Sequence, residues 1–194
     1  MHISLTSLAL ALGLVSVSAL TANIKVARDA TVSYNSIKVN GQFDSLTRKG
    51  LLPTLVASNT RTEPLTHDRI LLGFDFPTSI KLTPNVRCNL VIPAPLEGPV
   101  VNYSLTASAA ESGWEEGTVN GGTRIGEVRV LNSVKVVGDK TGSPGVVDIT
   151  RACQAAAATK GRRFSVIVDS NSPKVVFNSK QSGQSSIFSV DIIH

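Results

Sequence analysis

Few side chains in this sequence could do chemistry, and their types exclude more than they allow. Histidine occurs at 2, 67 and 194, so only His67 lies within the body of the chain. It stands between Thr66 and Asp68 and reads as a solvated residue, not as the base of a Ser-His-Asp triad. His-Glu-x-x-His and Gly-x-Ser-x-Gly are both missing, which removes the zinc-protease helix and the nucleophile elbow. Cys88 and Cys153 do not make a zinc site at this spacing. No metal or other cofactor is expected. The segment Glu111-Ser112-Gly113-Trp114-Glu115-Glu116 could supply the carboxyl pair of a glycosidase. Neighbours on an extended chain point to opposite faces, so Glu115 and Glu116 cannot share one substrate from a regular strand. The simpler reading has Trp114 plug an edge of the fold while the glutamates cap nearby loop amides.

Binding chemistry is better represented. Aromatic content is only 5%, and Tyr34, Tyr103 and Trp114 alone join a ring to a polar handle. Tyr103 alternates with Val101 and Leu105 and is assigned to the core. Tyr34 sits near a strand end and is the freest; Trp114 could be core or platform. The formal charge is +5 and the sequence pI about 9.5, which favours acidic partners: anionic polysaccharide, phospholipid head groups or nucleic acid. The charges are scattered, as a solubility feature would be.

The first twenty-two residues place the rest. Leu5 to Val17 is almost wholly small or apolar, and no acidic residue precedes Asp29. Val17 and Ala19 fit the positions signal peptidase requires, with Leu20 and Ala22 a second choice. Residues 1–22 therefore read as a secretory signal peptide, cleaved after Ala19 or Ala22. The run is shorter than the ~20 residues of a membrane span. Export makes nucleic acid the least expected partner, and no stable membrane insertion is expected after cleavage. It also makes Asn102-Tyr103-Ser104 a glycosylation acceptor at Asn102.

The elements that must position these groups are mostly strands. Short alternating or apolar runs bounded by Gly, Pro, Asn or Ser occur at 30–34, 36–40, 51–57, 69–76, 87–92, 100–107, 124–131, 133–137, 145–149, 163–169, 174–179 and 186–193. Ile70, Leu72, Phe74 and Phe76 share one face, which must be core. Arg69 and Asp75 then point outward with Leu71 and Gly73 between them, and Gly73 leaves a shallow spot for a sugar ring. Lys180, opposite in parity to Val175 and Phe177, also points outward. Arg69 could instead pair with Asp68 or Asp75. One helix interrupts the strands, over about 149–160: Ile149, Ala152, Cys153, Ala156 and Ala157 form a single stripe, with Asp148 or Thr150 to cap it and Gly161 to end it. Cys88 shares its face with Leu90 and Ile92. Two inward thiols in an exported chain are expected to bridge, worth about 4 kcal/mol in the chain-entropy account. The pattern is an all-β sandwich or barrel with one short helix, residues 23–194 forming one domain.

The order of motifs resembles a known family. Asp29-Ala30-Thr31-Val32, then Arg69-Ile70-Leu71-Leu72-Gly73-Phe74-Asp75-Phe76, then Cys88-Asn89-Leu90-Val91-Ile92-Pro93 are followed by Glu111 to Val119 around Trp114. Val147-Asp148-Ile149-Thr150-Arg151-Ala152-Cys153 leads into the helix, and Phe164-Ser165-Val166-Ile167-Val168 and Phe177 to Gly183 close the set. Together they resemble the DNRLRE domain, carbohydrate-binding module family 96, in its secreted fungal single-domain form. The resemblance implies a non-catalytic jelly-roll β-sandwich that binds polysaccharide, including acidic glycans. By motif it points to Arg69 and Lys180. Gln181 stands where the family often has an acid, and the family's Asn-Tyr-Gly loop is replaced by Asn40-Gly41-Gln42-Phe43-Asp44.

The expectation is a secreted protein of the extracellular space or the cell wall that binds polysaccharide through Arg69, Lys180, Tyr34 and Trp114. Two other readings stand beside it. One is a structural extracellular protein with no defined sugar site. The other is a β-sandwich polysaccharide lyase, which neutralises a uronate with basic or amide groups and uses a Tyr/His pair. Of its Arg-x-Glu-x-Arg strand only Arg61-Thr62-Glu63 is echoed, and the last strand holds no tyrosine.

Overall fold

Alternation of apolar and polar residues writes two faces onto each strand, and a computed structural model shows what each face meets. It describes residues 21–35, 37–60, 65–81, 85–137, 145–157, 159 and 161–193. The leader up to residue 20, the Arg61-Thr62-Glu63 echo and Lys160 lie outside these. The strands are β1 (Thr21–Lys25), β2 (Arg28–Ser33), β3 (Lys38–Val39), β4 (Gln42–Phe43), β5 (Thr54–Asn59), β6 (His67–Asp75), β7 (Arg87–Ile92), β8 (Tyr103–Ala110), β9 (Glu127–Val136), β10 (Gly145–Asp148), β11 (Arg163–Ser170), β12 (Val175–Asn178) and β13 (Ser189–Ile193). One helix, α1 (Thr150–Ala157), lies between β10 and β11.

The result is an all-β sandwich. One antiparallel sheet has the order β1-β13-β7-β10. The other runs β12-β5-β6-β11-β8-β9, with β2 also pairing to β6. No neighbours in the first sheet are consecutive in sequence, as in a jelly roll. Between the sheets lies the core that the alternation predicts: Ile70, Leu72 and Phe74 from β6, Phe164, Val166 and Val168 from β11, Leu90 and Ile92 from β7, Val190 and Ile192 from β13. Phe74 and Phe164 face each other across the β6–β11 register, ring centroids 5.2 Å apart. The predicted helix is present but shorter than 149–160, and Ile149, Ala152, Cys153 and Ala156 seat it on this core. Asp148 Oδ1 accepts from the Thr150 amide at 2.8 Å. Cys88 and Cys153 form the disulfide.

A second, smaller core lies on the outer face of the larger sheet. Ala30, Val32, Leu71 and Ile167 would be exposed there, but Trp114 and Val119 lie over them. The Trp114 indole donates to Ser165 Oγ at 2.9 Å, and the Arg28 guanidinium sits 5.1 Å from the ring centroid. The covering loop is held tightly: a Cβ on Gly121 would overlap the Ser33 carbonyl oxygen.

Three departures from the sequence reading have simple causes. The runs 124–131 and 133–137 are one strand, β9, because Asn132-Ser133 marks an irregularity, not a turn. Ser108 pairs with Val130 and Ala107 with Asn132, leaving Leu131 as the extra residue of a bulge. Thr21–Lys25, read partly as leader, is paired to β13 from Thr21↔Ile193 to Lys25↔Ser189. Lys180 is not in a strand; it begins a 3-10 turn after β12.

Candidate functional site

Arg69 is outward-facing as the alternation requires, yet it is not a free cation. Its side chain is only 16% exposed, with Nη2 2.7 Å from Glu127 and Nε 3.2 Å from Asp169. Its partners are therefore neither Asp68 nor Asp75; Asp75 pairs with Arg163 at 3.4 Å. The Arg69 hydrogen bond holds the Glu127 carboxyl below its usual range. Nor is Gly73 a shallow spot, because a Cβ there would lie 3.1 Å from both Arg28 Nε and Trp114 Cζ2. Trp114 itself is 5% exposed and presents no platform. This corrects its assignment as a sugar-binding residue and agrees with the reading of it as a plug.

Lys180 is 30% exposed and lies 2.9 Å from Glu116 Oε2. Glu116 Oε1 accepts from the Asp29 amide at 2.7 Å, so this glutamate does cap a backbone amide. Asp29 Oδ2 in turn accepts from the Lys180 amide at 2.8 Å. Asp29 has no exposed surface. Burial pushes its carboxyl up to about 6, with Glu116 adding to the rise and Lys180 opposing it. Lys180 thus ties the covering loop to β2. The carboxylate that pairs with Lys180 comes from Glu116, 64 residues away in sequence, rather than from its own turn. Of the four candidate sugar-binding residues, Arg69, Lys180, Tyr34 and Trp114, only Tyr34 is substantially open to solvent, and it lies at the same end of the outer face as Arg69. His67 is no loop residue: it opens β6 beside Tyr34.

Two groupings invite a catalytic reading and fail it. Ser33 Oγ lies 2.7 Å from Lys49 Nζ, the elements of a nucleophile and base. Ser33, however, is buried and donates to Asp68, while Lys49 is 2.8 Å from Asp44. Tyr34 and His67 supply a lyase-like pair, but the nearby Arg69 is already spent on two carboxylates and cannot neutralise a uronate.

The concave feature with uncommitted cations lies elsewhere. A cleft of about 870 Å³ opens where β7, β9, β10 and α1 meet. Arg87 and Arg151 line it together with Asn85, Asn132, Gln154 and Asp148. Each wall follows from local rules. Arg87 precedes inward Cys88, so strand alternation turns it out. Arg151 and Gln154 are three apart on the solvent side of α1 and share a face. The β9 bulge turns Leu131 partly into the core and leaves Asn132 at the rim. Thr150 Oγ1 accepts from the Cys88 amide at 3.0 Å, and the disulfide joins the same two elements. Among the described residues neither guanidinium has a partner within ion-pair or hydrogen-bond distance, although both act on the Asp148 carboxyl through space. Asp148 is the acid between them, and its hydrogen bonds to Thr150 hold its carboxyl below the usual range. Two guanidiniums against one carboxylate leave the cleft positive.

Sequence reasoning missed this pair because Arg87 stands outside the motifs and Arg151, inside the one that leads into the helix, was read there only as part of the helix start. The available signal was indirect: Arg87 adjoins one half-cystine and Arg151 lies two residues before the other. Comparison with protein-family models and with curated proteins finds no match.

Proposed function

We propose that this protein is a secreted, non-catalytic binder of acidic polysaccharide, with the cleft between β7 and α1 as its site. The observation that carries this reading is a pair of guanidiniums without an ion-pair partner, Arg87 from β7 and Arg151 from α1, lining one concavity with a single carboxylate. An arginine fork matches a carboxylate with two parallel hydrogen bonds. Asn85, Asn132 and Gln154 add amide groups that both donate to and accept from sugar hydroxyls. Export is supported by the leader-like first residues and by the disulfide, which persists in oxidising compartments. Among the described residues no helix is long and apolar enough to cross a membrane.

Affinity electrophoresis in gels containing pectate or alginate tests the reading. Exposed cation–carboxylate contacts contribute about 0–1 kcal/mol each and weaken with salt. Retardation should therefore need a polymer and decline with added NaCl. Arg87→Gln/Arg151→Gln should weaken it by about tenfold, equivalent to roughly 1.4 kcal/mol. Asp148→Asn, which keeps a capping side chain and removes the one negative charge, should strengthen it. If the double variant migrates as the parent does, the acidic-glycan site is not this cleft. A structural protein without a sugar site would show no retardation in any gel. A lyase would release unsaturated uronate, visible by its ultraviolet absorbance.

A further inference from the structure

The cleft accounts for cations but not for the exposed ring of Tyr34, which lies on the opposite side of the larger sheet from the main core. The loop carrying Trp114 and Val119 covers Ala30, Val32, Leu71 and Ile167 on that outer face and reaches as far as Ser33, leaving the next residue, Tyr34, exposed. There Tyr34 is 41% exposed and the His67 side chain 39%. The Tyr34 ring is backed by the imidazole, centroids 5.6 Å apart at 42°. The backbone fixes it too, since the Tyr34 amide donates to the His67 carbonyl at 2.8 Å. Beside the ring, Asp169 is held by His67 Nε2 at 3.2 Å, by Arg69 Nε at 3.2 Å and by the Ser170 amide at 2.8 Å. Glu127, with a side chain 35% exposed, is held by Arg69 Nη2 at 2.7 Å. Phe43, the other exposed ring, has no polar handle and carries the Lys38 ammonium over it at 5.1 Å.

We propose that this Tyr34–His67–Glu127 shelf is a second binding site, taking an uncharged sugar residue of a neutral polysaccharide. A pyranose has an apolar C–H face that packs on an aromatic ring, and hydroxyls at its rim that suit planar carboxylate and imidazole groups. The shelf offers both, already ordered, so little side-chain freedom is lost on binding. Its charge selects the ligand. One guanidinium faces two carboxylates, so an anionic sugar is repelled where the cleft would attract it. The two sites therefore differ in chemistry, and the inference does not depend on the cleft.

Affinity electrophoresis of the whole mature protein, in gels of soluble neutral β-glucan, pectate or chitosan at low and high NaCl, separates the possibilities. The expected result is retardation by neutral glucan that salt does not abolish. Tyr34→Ala should weaken this at least tenfold and leave retardation by pectate unchanged, while Arg87→Gln/Arg151→Gln should do the reverse. Tyr34→Phe should retain most of the binding. All three substituted side chains are exposed, and matching thermal unfolding curves would confirm that the variants fold. Unchanged binding of neutral glucan by Tyr34→Ala overturns the proposal. So does salt-sensitive retardation by chitosan alone, which would make the shelf a site for a cationic sugar. Loss of pectate binding in the parent bears on the cleft and leaves the shelf standing.

Discussion

At the scale of single residues, the charged groups that stood out in sequence are the ones the fold consumes. Arg69 alternates outward on β6 as expected and Lys180 sits in the 3-10 turn after β12, but Glu127, Asp169 and Glu116 reach them. Those partners come from β9, β11 and the Trp114 loop, and strand register over such separations leaves no local mark in the sequence. Asp29 carries a testable consequence. Its carboxyl lies at about 6 in the folded protein, above an ordinary value of 3.8. The fold favours the protonated form, so the stability this group contributes is fully present below pH 3.8 and is lost as pH rises through about 6. A shift of this size corresponds to about 3 kcal/mol. Asp29→Asn keeps an acceptor for the Lys180 amide and should flatten the fall in thermal stability between pH 4 and 6. Parallel pH profiles for parent and variant would show that Asp29 is not the group responsible.

At the scale of elements, period and parity were readable and junctions were not. The alternation of Ile70, Leu72 and Phe74 and the stripe Ile149, Ala152, Cys153, Ala156 give β6 and α1 directly, because each buries one face. The bulge at Leu131 had no such signature: Asn132-Ser133 is turn chemistry, and here it is spent on an irregularity inside one strand. The cleft depends on that irregularity, so it was as hidden as the bulge. The disulfide was legible, since two inward cysteines behind a leader-like segment read as a bridged pair. Intact mass without reductant should be two hydrogens below that of the reduced chain, with no alkylatable thiol. Cys88→Ala/Cys153→Ala should cost about 2–5 kcal/mol of stability and loosen pectate binding beyond what stability alone explains. Full binding by a folded double variant would show that hydrogen bonding suffices to set the cleft.

At the scale of the molecule, the first strand bears on where the mature chain begins. Thr21 and Ala22 extend the β1–β13 ladder, which cleavage after Ala22 would shorten by two of its five pairs. Cleavage after Ala19 is therefore expected. N-terminal sequencing of the secreted protein should read Leu20, and a start at Asn23 would mean that those pairs are dispensable. Asn102 is exposed beside buried Tyr103. Expression in a eukaryotic host should give a product whose electrophoretic mobility increases on glycosidase treatment; unchanged mobility would exclude modification there.

The joining of β7 to α1 has a mechanical side. A long polysaccharide seated at Arg87 and Arg151, as proposed, would pull on both β7 and α1 whenever the polymer came under tension. Those walls are spanned by a covalent bond whose two ends are fully buried. Load entering at the cleft therefore passes from helix to strand through sulfur, and onward from β7 to β13 and β1 through rows of backbone hydrogen bonds. The grip should fail by release of the sugar before the two walls separate.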